Sequence, residues 1–461
     1  MIFNSIDFLF FILLVWLVFS QLKNQTQRQY WLLASSLFFY GYWKWEYLLL
    51  MVAASSIDYW AAKQISASTH VATRKKYLMF SIGSNILTLC YFKYGLFFAN
   101  NLVNQGLLTS APSWLQVLLP VGISFYTFQA MAYVLDVYRN RVKAEQFYPQ
   151  FLLFISFFPQ LVAGPIERAP HLLHQLRHIR NIFNSDITKA LAIILLGFWK
   201  KLFLADRLGV FVDSVFDQPS IATGWQVATG TMFFGLQIYC DFSGYSDIAR
   251  GIGRFFGVDL MVNFNSPYQS KTLTEFWRRW HISLSGWFRD YVYFPLGGNR
   301  NGSLVAVRNL LIVFTLSGLW HGANWTFLVW GFWHGAGVVA ERFLKPKENT
   351  PYQILAMVWV FAGWMIFRAN SVSDLGLLIR QLGVWPSFSL PDFNLFHSNS
   401  ELLLSLLGIS WLFVVEANGA KFKSWFLAKG VQAQMAFITT IALMLIWFGA
   451  FKGQDFIYFQ F

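Results

Sequence analysis

Charged side chains are scarce in this sequence: 12% of 461 residues, against 56% that are hydrophobic. A soluble fold needs a polar surface that such a composition does not supply, and 50 Phe, 21 Trp and 19 Tyr exceed what a soluble core uses. Cysteine is almost missing. Cys90 and Cys240 both lie in apolar stretches, which argues against a disulfide or a zinc knuckle and leaves the redox compartment open. There is no phosphate-cradling P-loop and no Gly-x-Ser-x-Gly elbow, so the sequence offers no support for a nucleotide hydrolase or a serine hydrolase of that type. No internal repeat, soluble domain or long polar linker interrupts the chain. The first 20 residues are apolar but have no basic n-region and no small-residue cleavage site, so they are expected to be a retained first span.

What is present is apolar sequence in long runs, with a mean hydropathy of +0.45. At ~20 residues per span, the runs allow roughly 11 to 13 transmembrane or re-entrant segments. They do not alternate, so helices rather than a barrel are expected, and the fold class is all-α, polytopic, with residues 1–461 as one integral-membrane domain. The net charge of +13 sits largely in short loops, among them residues 23–28, 74–76, 139–143, 168–180 and 421–429. The positive-inside rule explains this better than nucleic-acid binding, for which no partner is expected. Placing those loops in the cytoplasm puts both termini outside, with residues 385–400 as an outside loop. Residues 150–164 are too short to cross and are flanked by like charge, so they are expected to be re-entrant.

The chemistry concentrates in residues 276–328. Counted at helical spacing from Trp277, the residues Trp280, His281, Leu284, Trp287, Phe288 and Tyr291 share one aromatic face, with Arg278, Arg279, Arg289 and Asp290 elsewhere. His321 follows an uncharged apolar run. Desolvation favours neutral imidazole, the form that accepts a proton from a hydroxyl. For such a histidine alone, a hydrogen bond between helices and a functional role both stand open. Asn324, three residues on, would reach the imidazole or a substrate carbonyl if the turn is helical. His334 would face away from His321 on one straight helix and is read as structural. Asp241 is read as a helix cap or as the orienter of a histidine. His171, His174 and His178 share a helical face, but arginines crowd them and no carboxylate lies within the segment. A wet basic helix is the better reading, and no metal site is assigned.

Two long motifs, FWRRWHISLSGWFRDYVYFPLGGNR and SGLWHGANWTFLVWGFWHG, resemble the signature of the membrane-bound O-acyltransferase superfamily. The segments LPVGISFYTFQAMAYVLDVYR, FISFFPQLVAGPIER and QIYCDFSGYSDIARG resemble its bacterial polysaccharide-acetylating branch, of the alginate-acetylating type. The D-alanyl transfer proteins of teichoic-acid modification are a more distant branch. The resemblance runs over most of the chain. It implies helices around a central tunnel, with His321 as the buried catalytic histidine and His281 as the second, toward the cytoplasmic mouth. It implies transfer of an acetyl group from a cytoplasmic thioester donor, acetyl-CoA, to a hydroxyl of an exported polysaccharide, in the bacterial inner membrane, through a periplasmic acetyltransferase-like partner. No tightly bound cofactor is expected. On this reading His321 is the general base, Asn324 and Asp241 support it, and Arg278, Arg279, Trp277 and Trp280 meet the donor. The basic face has positive-inside topology as its other explanation. Acylation of a lipid or protein, or proton-coupled transport with the histidines as a relay, are the alternative functions.

Overall fold

The computed structural model describes residues 1, 3–162, 164–385, 396, 398–451 and 456–457, and among them the regular structure is helical, without a strand. Of the expected outside loop, residues 386–395 and 397 lie outside the described residues. Among the described residues, five stretches are long and apolar enough to cross a membrane: Val71–Asn104, Ser303–His321, Thr350–Arg368, Asn399–Ala417 and Val431–Phe448. Their exposed side chains, such as Leu304, Leu316, Ile446 and Trp447, are those that hydrocarbon rather than water would solvate. Other helices are shorter, like Ile6–Gln21, or carry buried polar groups, like Trp45–Ala67.

The chain forms two compact units. The first comprises Met1–Ala190 and Ile248–Val262. In it, Trp45–Ala67 packs on Val71–Leu89 and Ile123–Tyr138. A polar pin joins the first pair: Asp58 Oδ1 accepts from Ser81 Oγ at 2.5 Å and from Asn85 Nδ2 at 2.8 Å. The expected re-entrant segment is a broken helix, Tyr148–Ser156 followed by the single turn Phe158–Leu161, buried on all sides. A break at such depth leaves a carbonyl without its helical partner. Here the Phe154 carbonyl accepts from Gln129 Nε2 at 2.7 Å and Gln160 Nε2 at 2.9 Å. The histidine-rich helix Ala169–Arg177 also lies here. His171 Nδ1 meets Glu167 at 2.7 Å, a carboxylate just upstream of the histidine-rich helix, and that contact raises the pKa of the imidazole.

The second unit comprises Leu191–Asp247 and Asn263–Phe461. Its centre is the hairpin of Ser303–His321 and Trp325–Leu344, closed by backbone approach at glycines. A Cβ on Gly318 would meet the Phe327 carbonyl oxygen at 2.1 Å, and one on Gly331 would meet the Phe314 carbonyl oxygen at 2.3 Å. This close approach carries His321, at the end of the first helix, onto the second. A π-helical turn, Trp199–Ala205, presents Lys200 and Lys201 to the Gly224–Phe255 helix, where Asp247 and Asp241 receive them at 2.8 Å and 2.7 Å. Lys201 also meets Asp206 at 2.8 Å, with both side chains buried. Such a buried ion set costs several kcal/mol to break from one side.

The glycine contact makes a clear prediction. Gly331→Leu should destabilise the protein by more than ~3 kcal/mol, because backbone has to move. Gly83→Ala, where a methyl group meets nothing within 4 Å, should be neutral. Thermal unfolding in detergent distinguishes the two.

Candidate active site

The aromatic face expected from Trp277 onward is buried as a set: Trp280, His281, Leu284, Trp287, Phe288 and Tyr291 all lie inside. The expected single helix is broken. Leu273–Arg279 ends, His281 takes a left-handed conformation at φ 42°, and Ile282–Phe288 starts anew before a π-helical turn over Arg289–Tyr293. A left-handed non-glycine residue costs about 1–2 kcal/mol, so something holds it. That something is the strand-like segment around Asn263. The Ile282 N–H donates to the Asn263 carbonyl at 2.9 Å, and the Asn265 N–H donates to the Arg279 carbonyl at 3.0 Å.

The Asn263 side chain then sets the proton on His281. Its Oδ1 accepts from the Ser283 N–H at 3.1 Å and from Ser283 Oγ at 2.9 Å. A backbone N–H is always a donor, so the amide oxygen is the atom that faces it. His281 Nδ1 lies 3.2 Å from the same oxygen and therefore carries the proton. Nε2 keeps its lone pair and has no hydrogen-bond partner among the described residues. Burial lowers the pKa of this imidazole from 6.5 to about 3, so it stays neutral at physiological pH.

His321 ends its helix and lies among rings, 5.0 Å from Trp320, 5.0 Å from Trp330 and 5.3 Å from Phe367 between centroids. Trp320 also lies 5.9 Å from His281, so one indole contacts both imidazoles. His334 joins the same cluster, 5.1 Å from Trp330 and 4.8 Å from Trp277. The straight-helix argument that set it aside fails, because Gly322 to Asn324 turn the chain between His321 and His334.

Three expected supporting roles change. Asn324 is the N-cap of Trp325–Leu344: its Oδ1 accepts from the Thr326 N–H at 3.2 Å, and its Nδ2 donates to the Asn370 carbonyl at 2.8 Å. Both ends of its amide are engaged by backbone, and extended geometry at Asn324 removes the helical turn that would have aimed it at His321. Asp241 orients no histidine; it pairs with Lys201 and accepts from the Ile457 N–H at 2.8 Å. Trp280 is fully packed between Phe264, Phe276 and Trp364, in the core rather than at a binding surface. Of the expected donor-side arginines, Arg278 is exposed, and Arg279 pairs with Glu275 at 2.6 Å. Trp277 is half-buried against Phe314, Trp330 and His334.

A profile described as MBOAT, membrane-bound O-acyltransferase family, matches residues 75–372, which include every histidine of this cluster. The chain belongs to this family. It is 37% identical over 420 residues to a protein of Azotobacter vinelandii named "Probable alginate O-acetylase AlgI", covering 88% of this chain and 83% of that protein. It is 35% identical over 397 residues to the peptidoglycan O-acetyltransferase of Helicobacter pylori, covering 78% and 75%. A teichoic acid D-alanyltransferase of Streptococcus thermophilus is 30% identical over 247 residues, or 50% and 58%. The chain is therefore a multi-pass membrane protein and an O-acyltransferase, and the resemblance in its motifs is borne out. Sequence reasoning missed Asn263 and Lys201, which act on the site's residues from distant stretches that carry no motif.

The His281 pKa has a measurable consequence. The unfolded chain takes up this proton near 6.5, the folded one only near 3. Stability from this group is thus complete above the unfolded value and falls with pH through the window between them. Between about pH 7 and about pH 5, wild type should lose about 2 kcal/mol more than His281→Asn, a residue that tolerates the left-handed backbone. Denaturant unfolding in detergent, followed by tryptophan fluorescence, measures it.

Proposed function

We propose that this protein acetylates an exported polysaccharide. It takes the acetyl group from a cytoplasmic thioester, acetyl-CoA, and passes it to a hydroxyl on the outer side of the bacterial inner membrane, with both of its own termini outside. A periplasmic acetyltransferase-like protein completes transfer to the sugar. The observation that carries the reading is the pairing of two buried imidazoles, both in contact with one indole, in a chain most of whose length matches O-acetylating relatives of alginate and peptidoglycan.

The physical problem is that the charged donor cannot enter hydrocarbon whereas an acetyl group can. His321 acts as general base on the acceptor hydroxyl, which attacks the thioester carbon. Such help is typically worth ~10²–10⁴-fold, so positioning and carbonyl polarisation supply the rest. His281, with Nε2 unprotonated and Nδ1 anchored, accepts a hydrogen bond from the thioester arm or the hydroxyl. Exposed Arg278, Arg289 and Arg300 receive the donor's phosphates. Asn324 has no part in carbonyl polarisation, because its amide caps a helix.

The test uses purified protein in nanodiscs with acetyl-labelled acetyl-CoA and an oligosaccharide or periplasmic partner. Wild type should release CoA and label the acceptor, and His321→Ala should lower the rate by ~10³-fold or more. Full activity in His321→Ala would refute the assigned base. Labelled lipid or protein instead of sugar would replace the acceptor class.

A further inference from the structure

Buried polar atoms in folded proteins are nearly always paired, and each exception calls for an explanation. Among the described residues, four of the exceptions lie together in the second unit. Trp277 Nε1, Trp330 Nε1 and both ring nitrogens of His334 are buried without a hydrogen-bond partner among the described residues. The three rings touch one another, with centroids 5.6 Å (Trp277 to Trp330), 4.8 Å (Trp277 to His334) and 5.1 Å (Trp330 to His334) apart. Trp330 is also 5.0 Å from His321. Two other indoles do find a carbonyl: Trp31 Nε1 donates to Val15 at 2.9 Å and Trp333 Nε1 to Trp359 at 3.0 Å. Leaving one such donor unpaired costs ~1–3 kcal/mol, so several in mutual contact are expensive unless a ligand meets them.

His334 is not there to fill space. It is fully buried, and a Cβ on Gly363 would come within 2.3 Å of its Nε2, so the neighbouring helix is bare where the imidazole fits. A phenyl ring would fill the same volume without the cost of two unpaired nitrogens.

The chemistry of this set is specific. Two indoles can only donate, and neutral imidazole offers one more N–H. Uncharged donors of this kind suit an oxygen that is neutral in the ground state and gains negative charge during reaction. Building on the acyl-transfer reading above, we propose that Trp277, Trp330 and His334 hold the carbonyl oxygen of the acyl group beside His321 and stabilise it as an oxyanion. The hydroxyl oxygen attacks the thioester carbon and its proton passes to His321. The carbonyl π electrons move onto the oxygen, where the N–H donors meet them. Collapse restores the carbonyl and breaks the carbon–sulfur bond. The thiolate leaves with the electron pair and takes the proton from His321.

Trp277→Phe, Trp330→Phe and His334→Phe keep a ring and remove the donor. Each should lower kcat for acetyl transfer by ~10²-fold with KM for acetyl-CoA little changed. The second readout is infrared: a ketone analogue of acetyl-CoA with an isotope-labelled carbonyl should show a lowered stretching frequency when bound to wild type, relaxing upward in each variant. Folded variants with wild-type kcat would overturn the assignment. So would a wild-type carbonyl band at its apolar-solvent position, which needs no variant at all. Wild type that moves no acetyl group removes the acyl-transfer reading and this inference with it. An active wild type with unimpaired variants removes this inference alone.

Discussion

The buried imidazole of His281 does not readily hold a second proton, and the second unit is arranged around buried imidazoles. His281, His321 and His334 are all inside, and the surfaces that keep water from them are indole and phenyl rings. A base that must take a proton from a hydroxyl has to begin neutral. At His281 the protein does more than exclude water. One amide oxygen, anchored by Ser283, decides which nitrogen of the ring bears the proton and which presents a lone pair.

The rest of the unit follows from holding these rings in hydrocarbon surroundings. Helices that meet at glycines bring His321 against Trp330 with little slack. The left-handed turn at His281 is affordable only because Asn263 and Asn265 pair with the backbone on either side of the break. Lys200 and Lys201, set in consecutive positions of a π-helical turn, neutralise Asp247 and Asp241, so the helix carrying Phe242 stays in place against His281. Each of these is a local irregularity in an otherwise helical chain, and each supplies backbone or charge with the partner that lipid cannot offer.

Much of this was legible from spacing and composition, and the reasons for the rest are particular. The six-residue aromatic face came through intact because burial depends on the apolar pattern, which the sequence carries openly. The break within it did not, because Asn263 imposes it from 18 residues upstream. Asn324 reads equally well as a helical neighbour of His321 or as an N-cap, and only the extended backbone at that residue decides for the cap. Asp241 reads as a helix cap or as the orienter of a histidine; it lies inside the helix Gly224–Phe255 and pairs with Lys201, which belongs to a stretch that looks like ordinary span. His334 was dismissed by assuming one straight helix where the chain makes a hairpin. Local pattern is sufficient for faces and spans; pairings across the unit are set by topology.

The central claim is that His281 is a neutral imidazole with its proton on Nδ1 and a bare Nε2. Nitrogen NMR on protein labelled at histidine, in nanodiscs, tests it directly, with His281→Asn identifying the signal. One protonated and one unprotonated ring nitrogen are expected for His281, unchanged from neutral pH to about pH 5, with the tautomer scrambled in Asn263→Leu. An imidazolium signature appearing on mild acidification, or the proton on Nε2, would contradict it.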